Sequence, residues 1–325
     1  MHAIKVKGVK TWGGMTVDEL VSGMRGCAFG AGRLAKAVDI YEEMLNEDTT
    51  KFITIAGALV PAGMRDVIVE MVRARYVDVI ITTGANLVHD IIEALGAHHY
   101  KIMEEESNIK IDDLELREQS IARIYDVVVH DAAFAQLEDF LRAVFERMNP
   151  DRSYSIREVV ELIGANLSDT NSILKSAVDA DVPVFCPAIA DSMIGLHAWI
   201  YKQMKRGLHV DAFDDMKELT DIFCDAEHTG AIILGGGVPK NFLLQTALVA
   251  PARADGREGF DFAIQITTDT PENGSLSGAT LEEAKSWGKI GRDAKAVTVY
   301  CDVTIALPVL FAAVQARSMN RSARR

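Results

Sequence analysis

The chain has 325 residues, about half of them apolar (49%) and a quarter charged, with 8 prolines and a formal net charge of −13. That composition supports a large globular core and excludes collagen-like and disordered classes. The acidic balance repels nucleic acid and anionic lipid, there is no run of about 18 apolar residues to cross a bilayer, and the opening Met-His-Ala-Ile-Lys-Val-Lys has no apolar signal core, so neither nucleic acid nor membrane is an expected partner and a cytoplasmic location is expected.

Roughly residues 1–50 read as a helical N-terminal extension. Within it, Gly30-Ala31-Gly32-Arg33-Leu34-Ala35 matches part of a dinucleotide fingerprint, but no strand precedes it, so it receives no cofactor role. Short β-branched runs then alternate with segments of helical period. Strands are predicted near 52–56, 77–82, 124–129, 182–186, 231–234, 262–266 and 297–301, and helices over 63–75, 88–95, 132–148, 155–164, 172–180 and 213–223. The loop 104–117 carries Glu104, Glu105 and Glu106 and reads as a solvated face. No Gly/Ser-rich or Pro-rich linker interrupts the alternation, which points to a single domain over 1–325 with a doubly wound, Rossmann-like, mostly parallel α/β sheet. The four cysteines, Cys27, Cys186, Cys224 and Cys301, are far apart and without zinc spacing, so they read as reduced, mostly buried thiols and no metal site is expected.

Ligands of an open parallel sheet sit at the carboxyl ends of its strands. Five such stretches are unusual: Ala56-Gly57-Ala58, Thr82-Thr83-Gly84-Ala85-Asn86, Pro187-Ala188-Ile189-Ala190-Asp191, Gly235-Gly236-Gly237 and Thr267-Thr268-Asp269. Small residues there let backbone approach a ligand, and amides opening a helix can meet phosphate oxygens. Tight packing turns explain any one of them, and a helix N-cap explains each aspartate.

A further stretch runs Asn273-Gly274-Ser275-Leu276-Ser277-Gly278-Ala279 and continues through Glu282 and Glu283 to Ser286-Trp287-Gly288-Lys289-Ile290. Most lysines are solvated surface charges. One beside Trp and Gly, partly desolvated and near carboxylates, becomes a nucleophile towards imines and carbonyls, and the indole can face a cationic ligand.

This segment closely resembles the active-site segment of deoxyhypusine synthases. The resemblance extends through Ile232-Ile233-Leu234-Gly235-Gly236-Gly237, Cys186-Pro187-Ala188 with Asp191, Val77-Asp78-Val79 with Thr82-Thr83, and Val299-Tyr300 with Asp302, covering nearly all the chain after about residue 26. It implies a deoxyhypusine synthase-like NAD-binding fold, a homotetramer with sites at subunit interfaces, and an NAD-dependent aminobutyl transferase. The four-carbon amine of spermidine would pass through an imine on Lys289 to an acceptor amine, namely a lysine of a translation factor, or putrescine in homospermidine synthase-type relatives. The cofactor residues implied by matching position are Gly57, Ala58, Thr83, Gly84, Asp191, Gly236, Thr268, Asp269 and Asp302. Those implied for substrate are His89, Asn241, Gly274, Ser275, Glu283 and Trp287.

The chain departs from the family pattern on the polyamine side. Val88-His89 stands in place of adjacent glutamates, Leu196 and Asn273 in place of acidic residues, and Asn241 in place of a histidine. Carboxylates bind ammonium groups strongly when near and partly desolvated, so these changes bear on which amine is held. Two other readings are an amine dehydrogenase that releases its product, against which Lys289 argues, and a non-catalytic NAD or polyamine binder, against which the whole Trp-Gly-Lys segment argues.

Overall fold

In the computed structural model the apolar runs of the sequence become strands. Residues 4–102, 112–205, 207–250, 256 and 258–322 are described. The elements are α1 (Val17–Gly23), α2 (Phe29–Asn46), β1 (Thr49–Ile55), α3 (Arg65–Arg73), β2 (Val79–Thr82), α4 (Gly84–Ala94), β3 (Tyr100–Lys101), α5 (Asp113–Glu118), β4 (Ile121–Ile124), β5 (Val127–His130), α6 (Ala132–Phe145) and β6 (Ser153–Ser155). They continue as α7 (Ile156–Ala165), α8 (Ile173–Asp179), β7 (Val184–Phe185), α9 (Met193–Met204), β8 (His209–Asp211), α10 (Asp214–Asp225), β9 (His228–Leu234), α11 (Gly237–Val249), β10 (Phe260–Thr267), α12 (Leu281–Ser286), β11 (Ile290–Tyr300) and α13 (Val303–Ser322). These fall into two compact units, one of residues 1–56, 74–81 and 216–325, the other of 57–73 and 82–215. Units built from discontinuous segments leave no linker signature in a sequence.

In the first unit the strands lie in the order β11-β10-β9-β1-β2. β1, β9, β10 and β11 pair in parallel, with Ile53 opposite Ile232, Ile232 opposite Ile264 and Ile264 opposite Val297. β9 and β10 are buried on both faces, which is why they read as continuous apolar runs rather than alternating ones. Helix α2 lays Ala37, Val38, Tyr41 and Met44 into the core. Gly230 permits that approach, because a Cβ there would lie 2.8 Å from Met44 Sδ. The terminal helices are tied by Arg317 of α13, which reaches Asp18 of α1 at 2.6 Å and both Asp39 and Glu42 of α2 at 2.8 Å. Helices α1 and α2 supply the helical part of the expected extension, while residues 4–16 have no regular structure. Gly30 and Gly32 lie inside α2, where Gly32 avoids a 2.2 Å clash with the Cys27 carbonyl oxygen.

The second unit is mainly helical. Its centre is Asp90 of α4, fully buried, which accepts bonds from Ser172 Oγ (2.7 Å) and from the amides of Ile173 and Leu174 (3.0 Å each) at the start of α8. Arg65 of α3 pairs with the same carboxylate at 2.7 Å and with Asp169 at 2.9 Å. The strand expected at 124–129 is instead the hairpin β4–β5, paired antiparallel around Tyr125, whose φ of 53° is left-handed. A non-glycine residue in that conformation leaves no turn signal in the sequence. Helix α4 begins at Gly84 rather than 88, because Thr83 caps it. Helices α9, α11, α12 and α13 lie where no helix was predicted, and the loop 104–117 ends in α5, capped by Asp112. Glu104, Glu105 and Glu106 lie outside the described residues.

Of the cysteines only Cys186 is fully buried, and Cys224 is exposed, so "mostly buried" does not describe them; no disulfide joins them. No helix among the described residues is long and apolar enough to cross a membrane.

Candidate active site

In the first unit the chain leaves β9 through Gly235, Gly236 and Gly237 and enters α11. Gly235 and Gly237 have φ of 76° and 60°, and a Cβ on Gly236 would stand 2.4 Å from Ser277 Cα. The triple glycine therefore serves two needs, left-handed backbone at its ends and close backbone contact at its centre. The loop it touches is fastened from beneath. Gln265, a polar residue buried in the middle of β10, donates to the carbonyls of Gly235 (3.0 Å) and Ser277 (2.9 Å). Lys240, buried in the first turns of α11, donates to Gln265 Oε1 (3.2 Å), to the Leu276 carbonyl (3.1 Å) and to the Ala279 carbonyl. Burial, aided by the charge of Lys289 and opposed by Glu283, pushes the Lys240 amine down to about 8.

The loop after β10 closes on itself. Asp269 accepts from Ser275 Oγ at 2.9 Å, Asn273 Oδ1 accepts from the Ser275 amide at 2.9 Å, and Ser275 Oγ accepts from the Gly278 amide at 3.1 Å. Gly278 is required because a Cβ would approach the Thr270 carbonyl to 2.3 Å. Thr280 then caps α12, and the helix ends through Gly288 at φ 69°, with the Lys289 amide donating to the Ala284 carbonyl at 3.0 Å. That reversal turns Lys289 back beside α11. Its Nζ donates to Asn241 Oδ1 at 3.1 Å and stands 5.7 Å from the ring centre of Trp287, which is 63% exposed and so has a face available to a ligand. Among the described residues no carboxylate forms an ion pair with Lys289. Glu283 is exposed on α12 and Thr268 is exposed at the end of β10. At the end of β11, Asp302 Oδ1 accepts from the Thr304 amide at 2.8 Å and its carbonyl accepts from Ala306, making it the N-cap of α13.

In the second unit Gly57 and Ala58 form an exposed turn, with Gly57 at φ 76°. Buried Asn86 ties the residues that follow to α4, accepting from the amides of Leu59 (3.2 Å) and Val60 (3.4 Å) and donating to Thr83 Oγ1 (3.1 Å). A Cβ on Gly84 would meet Ser192 Cβ at 2.4 Å. The start of α4 is thus pressed against the start of α9, bringing Thr83 and Gly84 beside the exposed Asp191, over a hundred residues away in the chain.

His89 lies one turn along α4 from the exposed Ala85. Its Nδ1 is 2.9 Å from His99 Nε2, and His99 Nδ1 is 2.7 Å from Glu93 Oε1. Burial, with the neighbouring His99, pushes His89 down to about 4 against the pull of Glu93. An unperturbed histidine would titrate near 6.5, so the ring is neutral where an exposed one would be changing charge. Although burial raises Glu93, hydrogen bonds from His99 and His98 outweigh it and bring that carboxyl to about 2. Burial likewise pushes the Cys186 thiol up to about 12.

The structure therefore gathers Gly236, Asp269, Gly274, Ser275, Asn241, Glu283, Trp287 and Lys289 around one loop system of the first unit, with Asp302 capping a helix of that unit. In the second it gathers Gly57, Ala58, Thr83, Gly84 and Asp191 around two helix starts, with His89 in a histidine pair. Sequence reasoning missed Lys240, Gln265, Ser192, Glu93 and His99. Gln265 within Phe-Ala-Ile-Gln-Ile carried a signal, being polar in an apolar run. Among the described residues no group of His, Cys, Asp and Glu could hold a metal ion.

Comparison with known proteins bears directly on this arrangement. The family model described as deoxyhypusine synthase matches residues 19–314. A "Probable deoxyhypusine synthase" of Methanosarcina thermophila is 55% identical over 97% of this chain and 96% of its own length. A "Probable deoxyhypusine synthase 1" of Archaeoglobus fulgidus is 46% identical over 92% and 94%. The crystal structure of an Entamoeba histolytica protein described as a candidate deoxyhypusine synthase has the same fold, with a TM-score of 0.67 at 20% identity over 96% of this chain and 97% of that one. The chain belongs to the deoxyhypusine synthase family, a family of transferases.

Proposed function

We propose that the protein is an NAD-dependent aminobutyl transferase that moves the four-carbon amine of spermidine through an imine on Lys289 to an acceptor lysine. The observation that carries this is the setting of Lys289, half-buried beside an exposed indole and held by a neutral amide rather than by a carboxylate. A neutral amine is what attacks an imine carbon, and an amide oxygen holds Nζ in place without an ion pair. Trp287 offers its face to the cationic donor, and Asn241 holds Nζ in position.

Each unit, taken by itself, offers groups of the kind a dinucleotide uses. Gly57 and Ala58 expose backbone at a strand end, the Gly84 amide opens a helix of eleven residues, and Asp191 and Asp302 present exposed carboxylates suited to ribose hydroxyls. Thr268 and Asp269 follow β10, and Gly236 allows close backbone approach. NAD, when bound, would accept hydride from the donor and return it to the product. Within the protein, Lys289 would attack the dehydrogenated carbon as diaminopropane leaves with the proton, and the acceptor amine would later displace Lys289.

Purified protein incubated with NAD and spermidine, then treated with borohydride, should carry a four-carbon amine on Lys289 alone by peptide mass spectrometry. Adding a candidate translation factor or putrescine identifies the acceptor. Labelling elsewhere, or full transfer by Lys289→Arg, would refute the mechanism.

A further inference from the structure

Asn86 is a buried amide of the second unit whose orientation is fixed by its neighbours. The backbone N–H groups of Leu59 (3.2 Å) and Val60 (3.4 Å) both reach one end of its side chain, and two donors meet only an acceptor, so that end is the oxygen. The other end is the NH2, 3.1 Å from Thr83 Oγ1. No titration enters this assignment, because a carboxamide carries the same hydrogens at every working pH. Thr83 Oγ1 also caps α4, accepting from the backbone amide of Asn86 at 3.4 Å. A hydroxyl has two lone pairs and one hydrogen. Both lone pairs of Thr83 are taken by Asn86, and among the described residues its hydrogen meets no acceptor. Thr83 is half-buried, next to the exposed Ala85, so that hydrogen has a way out to a ligand.

The same side chain fixes a second piece of backbone. Leu59 precedes the helical turn Val60–Met64 and has no side-chain oxygen to cap it. Asn86 Oδ1 takes that part, while the Ala58 carbonyl accepts from the Ala62 amide at 3.1 Å. One carboxamide therefore anchors the exposed Gly57–Ala58 turn and sets the hydroxyl beside Gly84.

We propose that Asn86 is a positioning residue of the cofactor site, which makes the Thr83 hydroxyl an obligate donor and gives that hydrogen to a pyrophosphate oxygen of the dinucleotide. This rests on the NAD-dependent reading above. A group that only donates matches a group that only accepts. Phosphate oxygens are such acceptors, whereas ribose hydroxyls and the nicotinamide carboxamide serve both ways. An ammonium group has no lone pair and is refused by the same hydroxyl.

Asn86→Asp separates the two tasks. Its carboxylate still accepts from Leu59 and Val60, but it also accepts from Thr83, whose hydrogen is then drawn inward. Calorimetric titration of the full-length protein with NAD should show affinity falling roughly three- to thirtyfold in Asn86→Asp, the range of one lost hydrogen bond. ADP-ribose, which keeps the pyrophosphate and lacks nicotinamide, should lose the same factor. In a Thr83→Val background there is no hydrogen to redirect, so adding Asn86→Asp should change affinity by less than about twofold, which separates the hydroxyl from a bare effect of the added charge. Thr83→Ser should keep most of the affinity that Thr83→Val loses, a comparison that leaves Asn86 in place and holds even where its variants do not fold. Unchanged NAD affinity in folded Asn86→Asp or in Thr83→Val, or an equal loss from Asn86→Asp in both backgrounds, overturns this inference alone. So does an ADP-ribose affinity that stays constant while that for NAD falls. A wild type that does not bind NAD overturns it together with the NAD-dependent reading.

Discussion

Of the cations drawn out of water in this protein, Arg65 and Lys240 have partners that differ in kind. Arg65, in the second unit, is matched by the fully buried carboxylate of Asp90 and by Asp169, in a cluster that also caps α8. Lys240, in the first unit, meets only neutral oxygens, those of Gln265, Leu276 and Ala279. The first arrangement fixes architecture, since opposite charges in a poorly solvated place become costly to separate. The second leaves a cation under-compensated next to Lys289, so its proton is loosely held while its bonds still shape the loop. Paired burial buys rigidity, and unpaired burial tunes basicity.

The largest effect should come from breaking the matched pair. Asp90→Ala strands the Arg65 guanidinium and uncaps α8, and is expected to cost about 3–5 kcal/mol. Urea denaturation measures it. A loss below about 1 kcal/mol would show that Arg65 finds an adequate replacement in Asp169.

The unmatched cation should cost less to remove. Lys240→Met leaves carbonyls of the 276–279 loop without their donor, for roughly 1–3 kcal/mol. It also sharpens the comparison through pH. A lysine held near 8 when folded, against about 10.4 unfolded, binds its proton less well in the native state. The unfolded chain therefore holds more protons between those values, and this group's contribution to stability rises with pH from about 8 to about 10. That component of the rise should vanish in Lys240→Met. An identical stability profile in the two proteins would mean the amine is not desolvated as described.

The smallest structural effect is expected at Asp302, which is exposed and works as a cap. Asp302→Ala should cost about 1 kcal/mol of stability and weaken NAD binding by roughly 1–3 kcal/mol, whereas Asp302→Asn should keep most of the cap. Thermal melts and NAD titration separate the two roles. Unchanged NAD affinity in folded Asp302→Ala would leave it a cap alone.

Much of the fold was legible because burial on both faces leaves a simple trace. Ile-Ile-Leu before the triple glycine and Phe-Ala-Ile-Gln-Ile before Thr267 are strands in any register, and their ends mark the places where small residues matter. The β4–β5 hairpin was not legible, since its turn rests on a left-handed tyrosine. Helix α13 was missed because Pro308 interrupts a segment with little amphipathic contrast.

By itself the sequence determined the parallel α/β plan, the strand-end stretches and the Trp-Gly-Lys segment, because these depend on periodicity and on neighbours along the chain. Tertiary structure alone decided that Gly84 meets Ser192, that Lys240 and Gln265 hold the 276–279 loop, that Asn241 receives Lys289, and that His89 meets His99. Such contacts join residues distant in the chain or pointing from different elements. Periodicity assigns a residue to a face, but which partner that face meets, and with what loss of water, is set only when the elements pack.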